Sequence, residues 1–197
     1  VLKEARKLFQ SRRLVRRPYH PTEETTLLIC WATKGNLKFN GQFHQSYFGD
    51  LAAQLDRLGH HVAIVPMLAG RVTYGEALHH IQDCSTPLMV PHRYLSLLSL
   101  VRTAFSTISR PPVPASIPSL GNMDVSVIVS EDLRSHWISN GAADALIAAA
   151  VVRRWAAAKY PITRVIYLYE NQPWERALCW QAQRSLPGTV LVGYRQT

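Results

Sequence analysis

Glu170 and Glu175 are the carboxylates that sequence places best for moving a proton. They lie in the run Tyr167-Leu168-Tyr169-Glu170-Asn171-Gln172-Pro173-Trp174-Glu175-Arg176. Residues 164–169 have the β-branched and aromatic content of a buried strand. Pro173 falls where a helix begins, since its missing N–H costs nothing in a first turn. Glu175 lies in that turn, where the helix dipole favours an anion. Two carboxylates, the Asn171 amide and the Trp174 indole therefore gather at the carboxyl end of a strand. Open α/β sheets bind ligands at that edge. A carboxylate directly after an apolar strand is expected to be desolvated on one side, which raises its pKa toward a general-base range. This singles out Glu170. Plainer roles exist for its neighbours: Trp174 can cover the core and Glu175 can serve the helix dipole.

A second polar segment, residues 33–47, follows an earlier strand and holds Lys34, Asn36, Lys38, Asn40, Gln42 and His44. Function often sits on such loops. His44 is the group there able to exchange a proton near neutrality. An ordinary solvated connection fits the same composition. The doublets His60-His61 and His79-His80 lack metal spacing, because adjacent side chains point apart. No GxxxxGK[ST], GxGxxG or GxSxG occurs, so phosphate-loop, dinucleotide and hydrolase-elbow readings lack support. No Asp-x-Asp pair occurs either, which weakens a case for a cation bridging a diphosphate. No metal site is expected.

The elements that must position these groups alternate. Strands are expected at 27–32, 61–67, 164–169 and 189–194, with a short third strand at 88–90 and a strand or extended loop at 125–129. Helices are expected at 46–58, 73–83, 94–108, 132–158 and 173–184. Phe48, Leu51, Leu55 and Leu58 share one face of the first, and Gly59 ends it as a C′ residue. Asn140-Gly141 is a candidate break in the fourth. Residues 110–121, with four prolines, form a surface connection. This alternation predicts a three-layer α/β domain with a largely parallel sheet.

Composition narrows the function classes. The 197 residues are 47% hydrophobic and 18% charged, as in a folded globular protein. The longest apolar stretch, 142–152, falls far short of the ~20 residues of a membrane span. Cys30, Cys84 and Cys179 are far apart and read as reduced thiols of a cytoplasmic protein. The net charge of +9 is concentrated at the start: residues 1–17 hold seven basic side chains and one acid. The rest is nearly neutral, which argues against specific nucleic-acid binding. The basic segment, residues 1–24, is expected to be helical. It suits either an anionic membrane surface or a solvated helix whose packing partners lie upstream of Val1. The latter is favoured, because its apolar positions form no clean stripe. The start at Val1 and the end just after a strand point to an excerpt of a longer polypeptide.

The string Tyr169-Glu170-Asn171-Gln172-Pro173-Trp174-Glu175, followed by Val192-Gly193-Tyr194, resembles bacterial surface-carbohydrate biosynthesis proteins. These look like GT-B-type glycosyltransferases, related to the sugar transferases of capsule and lipopolysaccharide. Tyr94-Leu95-Ser96-Leu97-Leu98 and Tyr47-Phe48-Gly49-Asp50 are similar to the same family, and the likeness spans most of residues 27–197. It implies that residues 25–197 are a Rossmann-like, acceptor-side N-terminal half of a GT-B architecture, truncated before a C-terminal domain. That missing domain would bind the activated sugar. It implies a nucleotide sugar and a glycan acceptor as partners, no cofactor, and a place in the cytoplasm at the inner face of the membrane. Glu170 would be the catalytic base, and Asn171 and Trp174 would orient the acceptor, the Trp by stacking on a sugar face. Glu175, Lys34 and His44 are the further substrate-binding candidates. The excerpt alone is expected to be inactive. The family pattern ends Gly-Tyr-Gln-His, where this chain has Gly193-Tyr194-Arg195-Gln196, so no histidine role is carried to Gln196. The rival expectation is a non-enzymatic Rossmann-like scaffold or nucleotide-binding module in polysaccharide assembly.

Overall fold

The apolar run Thr25–Ala32 forms the first sheet strand and is buried on both faces for nearly its whole length, as expected of an interior parallel strand. The computed structural model describes residues 2–15, 17–32, 38–39, 43–44, 47–68, 73, 75–76, 86–109, 124–127, 129–131 and 140–195. In chain order the elements are α1 (Leu2–Leu14), β1 (Thr25–Ala32), the short strands β2 (Lys38–Phe39) and β3 (Phe43–His44), α2 (Leu51–Arg57) and β4 (His61–Leu68). A 3-10 turn (Pro91–Tyr94), α3 (Leu97–Ser109), α4 (Asn140–Ala157), β5 (Ile162–Leu168), α5 (Pro173–Ser185) and β6 (Val190–Tyr194) follow.

The main sheet has the order β4-β1-β5-β6, and every pairing is parallel. The antiparallel pair β2-β3 stands apart from it. The architecture is a three-layer, Rossmann-like α/β domain. Leu27, Ile29, Ala63, Val65 and Val165 face one layer, built from α1, α3, α4 and α5. Leu28, Val62 and Ile166 face the other, where Phe48 and the α2 residues Leu51, Ala52 and Leu55 cover them. The small side chains of Ala148, Ala149 and Ala150 on α4 let it approach its neighbours closely, and Trp155 anchors its far end. The chain leaves β1 through α2 to β4 on one side, then returns to add β5 and β6 on the other. The strand order therefore reverses between β1 and β5, and a crevice opens there at the carboxyl ends.

The structure corrects several local expectations. Leu58 is exposed, because the chain turns at Gly59 (φ 81) and swings it off the α2 face. Residues 88–90 make a single bridge, Ile64 to Leu88, instead of a strand. Residues 126–127 and 129–131 are helical, not extended. Helix α1, expected to find its packing partners upstream of Val1, packs on this domain: Leu8 is fully buried in the main core. The helix expected at 73–83 and the connection at 110–121 lie almost wholly or wholly outside the described residues. So does Cys84. Helix α4 is described from Asn140 to Ala157; residues 132–139 of the expected helix lie outside the described residues.

Candidate functional site

The crevice between β1 and β5 is closed by a pair of side chains distant in sequence. Trp31, at the end of β1, donates its Nε1–H to Glu170 Oε2 across 2.9 Å. Glu170 stands two residues past β5 and is exposed. Among the described residues its Oε1 carries no hydrogen bond. The Trp31 ring, half-buried, stands edge-on to Trp174 with centroids 5.5 Å apart. An ionisable carboxylate and a partly open indole thus share one rim of the sheet.

The turn that presents Glu170 is built by its neighbours. Asn171 adopts the left-handed conformation (φ 58), which Asn tolerates better than most residues. Its Oδ1 accepts a 2.7 Å bond from Arg176 Nη2. Gln172 is the N-cap of α5, and Pro173 occupies the first helical turn. Glu175 folds back, and both its carboxylate oxygens accept the Glu170 N–H, at 3.1 and 3.2 Å. This resembles the return arm of a capping box. Glu175 is only 2% exposed. Burial pushes its carboxyl up from the ordinary value, against the backbone N–H groups of Gln172, Glu170 and Asn171, which pull it down.

The structure redistributes the roles expected from sequence. Glu170 is exposed, not half-desolvated; the carboxylate shielded from water is Glu175. Trp174, expected to stack on a sugar, is 4% exposed and packs into the core with Leu178. A ring so covered has no face to offer a ligand, and it instead buttresses Trp31. Trp31 is the member that sequence reasoning missed. Glu170, Asn171 and Glu175 come together as expected. Lys34 lies outside the described residues. The His44 backbone pairs with Lys38 in the β2-β3 ladder, and its side chain lies outside the description.

Below the rim, a cavity of about 30 Å³ runs under β1 and β4. Trp31, Met67, His92, Asp144, Trp155 and Lys7 line it. Its volume suits about two waters, not a sugar ring, so a glycan would have to sit on the open rim. Among the described residues, no group of three His, Cys, Asp or Glu side chains is placed to hold a metal ion. Gly193 on β6 has a packing reason: a Cβ there would lie 3.2 Å from Tyr167 Oη. The Tyr167 ring would therefore have to give way to any larger residue at 193.

The fold and rim define a doubly wound α/β domain with a carboxylate at its switch point. Compared with protein-family models, with curated proteins and with solved structures, the chain matches none.

Proposed function

We propose that the chain is the acceptor-side half of a GT-B-type glycosyltransferase that acts on a surface polysaccharide. The observation that carries this reading is the Trp31–Glu170 hydrogen bond across the β1–β5 crevice. It holds one carboxylate oxygen still and leaves the other for a hydroxyl, with an indole alongside. Carboxylate and aromatic ring together suit a sugar, whose hydroxyls want acceptors and whose C–H faces want an apolar surface.

In the proposed reaction Glu170 takes the proton of an acceptor hydroxyl. The acceptor oxygen forms its bond to the anomeric carbon as the bond from that carbon to the donor phosphate breaks. The nucleotide departs with the electron pair. Glu175 and Asn171 shape the turn that aims Glu170, and Trp31 fixes its rotamer. General-base assistance of this kind is worth about 10²–10⁴-fold.

The experiment is Glu170→Gln in the protein that carries this chain with its sugar-donor domain. Turnover should fall by about 10²–10⁴-fold, with thermal stabilisation by nucleotide sugars retained. Unchanged turnover refutes the base assignment. A folded protein that no nucleotide sugar stabilises refutes the transferase reading and supports the non-enzymatic scaffold.

A further inference from the structure

We propose that α1 and α3 together form a docking surface for an anionic lipid bilayer. The first observation is an apolar stripe that faces solvent. On α3, Leu97, Leu98, Val101 and Phe105 are all exposed, Phe105 by 70%. Their spacing puts them along one side of the helix, while Leu100 turns into the core. A helix of a water-soluble surface presents the opposite pattern, with polar residues outward.

The second observation is the charge beside that stripe. On α1, Phe9 is 60% exposed. Arg6, Arg12 and Arg13, also exposed, stand three before, three after and four after it. On a helix these positions are its immediate neighbours. Arg17 is exposed just beyond the helix. Neither helix has an exposed carboxylate: Glu4 is buried, and Leu97–Ser109 contains no acid. Arg102 is exposed on α3 within its apolar stripe. Long arginine stems lie along apolar surface while the heads reach a phosphate layer.

The two helices are fixed to each other, so stripe and charges act as one surface. Arg12 Nη2 donates to the Leu95 carbonyl at 3.4 Å, which puts a guanidinium at the head of the α3 stripe. Arg93 Nε donates to the Val15 carbonyl at 2.8 Å. Beneath, Leu8 packs with Leu95 and Leu100, and Glu4 binds Lys7 at 2.8 Å and His92 at 2.7 Å. Helix α1 is therefore a held platform and not a loose basic tail. Among the described residues no helix is long and apolar enough to cross a membrane, so contact would be in the plane of the interface. A nucleic acid would satisfy the arginines but leave Leu97, Leu98 and Val101 facing water. A bilayer satisfies both.

The test is sedimentation of the full chain with vesicles of phosphatidylcholine alone and of phosphatidylcholine mixed with phosphatidylglycerol. It does not depend on any transfer activity. Binding should require phosphatidylglycerol. The pair Arg6→Gln and Arg13→Gln should weaken it about 25-fold, from roughly fivefold per arginine. The pair Val101→Ser and Phe105→Ser should weaken it by roughly tenfold or more. All four positions are exposed, so unchanged far-ultraviolet circular dichroism checks that the variants fold. Three results overturn the proposal: equal binding to both vesicle types, binding that the α3 pair leaves intact, or self-association through α3 with no vesicle binding. Binding to short duplex DNA as tight as to anionic vesicles, and indifferent to the α3 pair, also overturns it.

Discussion

Acidification should release α1 through a single carboxyl. Glu4 sits 7% exposed between Lys7 and His92. Burial raises its pKa, but the bonds and charges of His92 and Lys7 outweigh burial and bring it from 4.5 to about 2. A carboxyl whose folded pKa is depressed stabilises the fold above its unfolded pKa, and that contribution is lost as pH falls through the folded value. The window is therefore from about pH 4.5 down to about pH 2. At 1.36 kcal/mol per pKa unit, the shift is worth about 3 kcal/mol. For a domain of this size that corresponds to roughly 6–12 °C in melting temperature. The perturbation is Glu4→Gln, which keeps the shape and removes the charge. Urea unfolding of both proteins from neutral to strongly acidic pH is the assay. The variant should be about 3 kcal/mol less stable near neutrality. The gap should close across the window, because protonated Glu4 then resembles Gln. Other carboxyls titrate there too, but they cancel in the difference. Two stability curves that stay parallel throughout would refute the reasoning.

Trp31→Phe keeps the apolar contact with Trp174 but loses the 2.9 Å bond to Glu170. If the proposed transferase reading holds, a loss of about 1 kcal/mol in positioning should raise the acceptor KM about fivefold, with the fold unchanged by circular dichroism. Glu175→Ala removes the acceptor of the Glu170 N–H and the return arm to the start of α5. The expected cost is about 2 kcal/mol in urea unfolding, and a variant as stable as the parent would remove Glu175 from this role. Gly193→Ala sets a Cβ 3.2 Å from Tyr167 Oη and 3.4 Å from Tyr169 Cβ. It should cost about 1–2 kcal/mol, and adding Tyr167→Phe should restore part of that if the hydroxyl is the obstacle.

The strands were legible because burial on both faces writes a continuous apolar run, as at residues 27–32 and 61–67. The start of α5 was legible through Pro173, and the glycine at 59 marked the end of α2. In two of the places where expectation failed, a local polar contact or a proline had decided the outcome. The β-branched residues 125–129 suggested extension, yet Asp124 Oδ1 accepts the Ser126 N–H at 2.8 Å and opens a helical turn. Residues 88–90 lie between Pro87 and Pro91, neither of which can donate to a ladder, so one bridge is all that forms. Within the site, the carboxylates and the turn showed themselves by spacing. Trp31 could not, since it sits 139 positions from Glu170 and reads as one more apolar residue of a core strand. Trp174 was legible as an indole near the site, but not as buried. Only the third dimension tells which of two tryptophans keeps a face to solvent.

Trp31 near the end of one interior strand and Glu170 in the short turn past the other bear on how such a domain can change over time. Trp31 is fixed within β1, which pairs with β4 up to Ala32, and the turn that carries Glu170 is tied to the start of α5 by Glu175 and Arg176, so the pair is held by the sheet and one helix start and not by the longer connections. Insertions and substitutions concentrate in connecting segments. They can therefore reshape what reaches the rim while the carboxylate and its indole keep their places. On the proposed transferase reading, chemistry and selectivity would be inherited by separate parts of the chain, and a descendant would trade one substrate for another without rebuilding the proton acceptor.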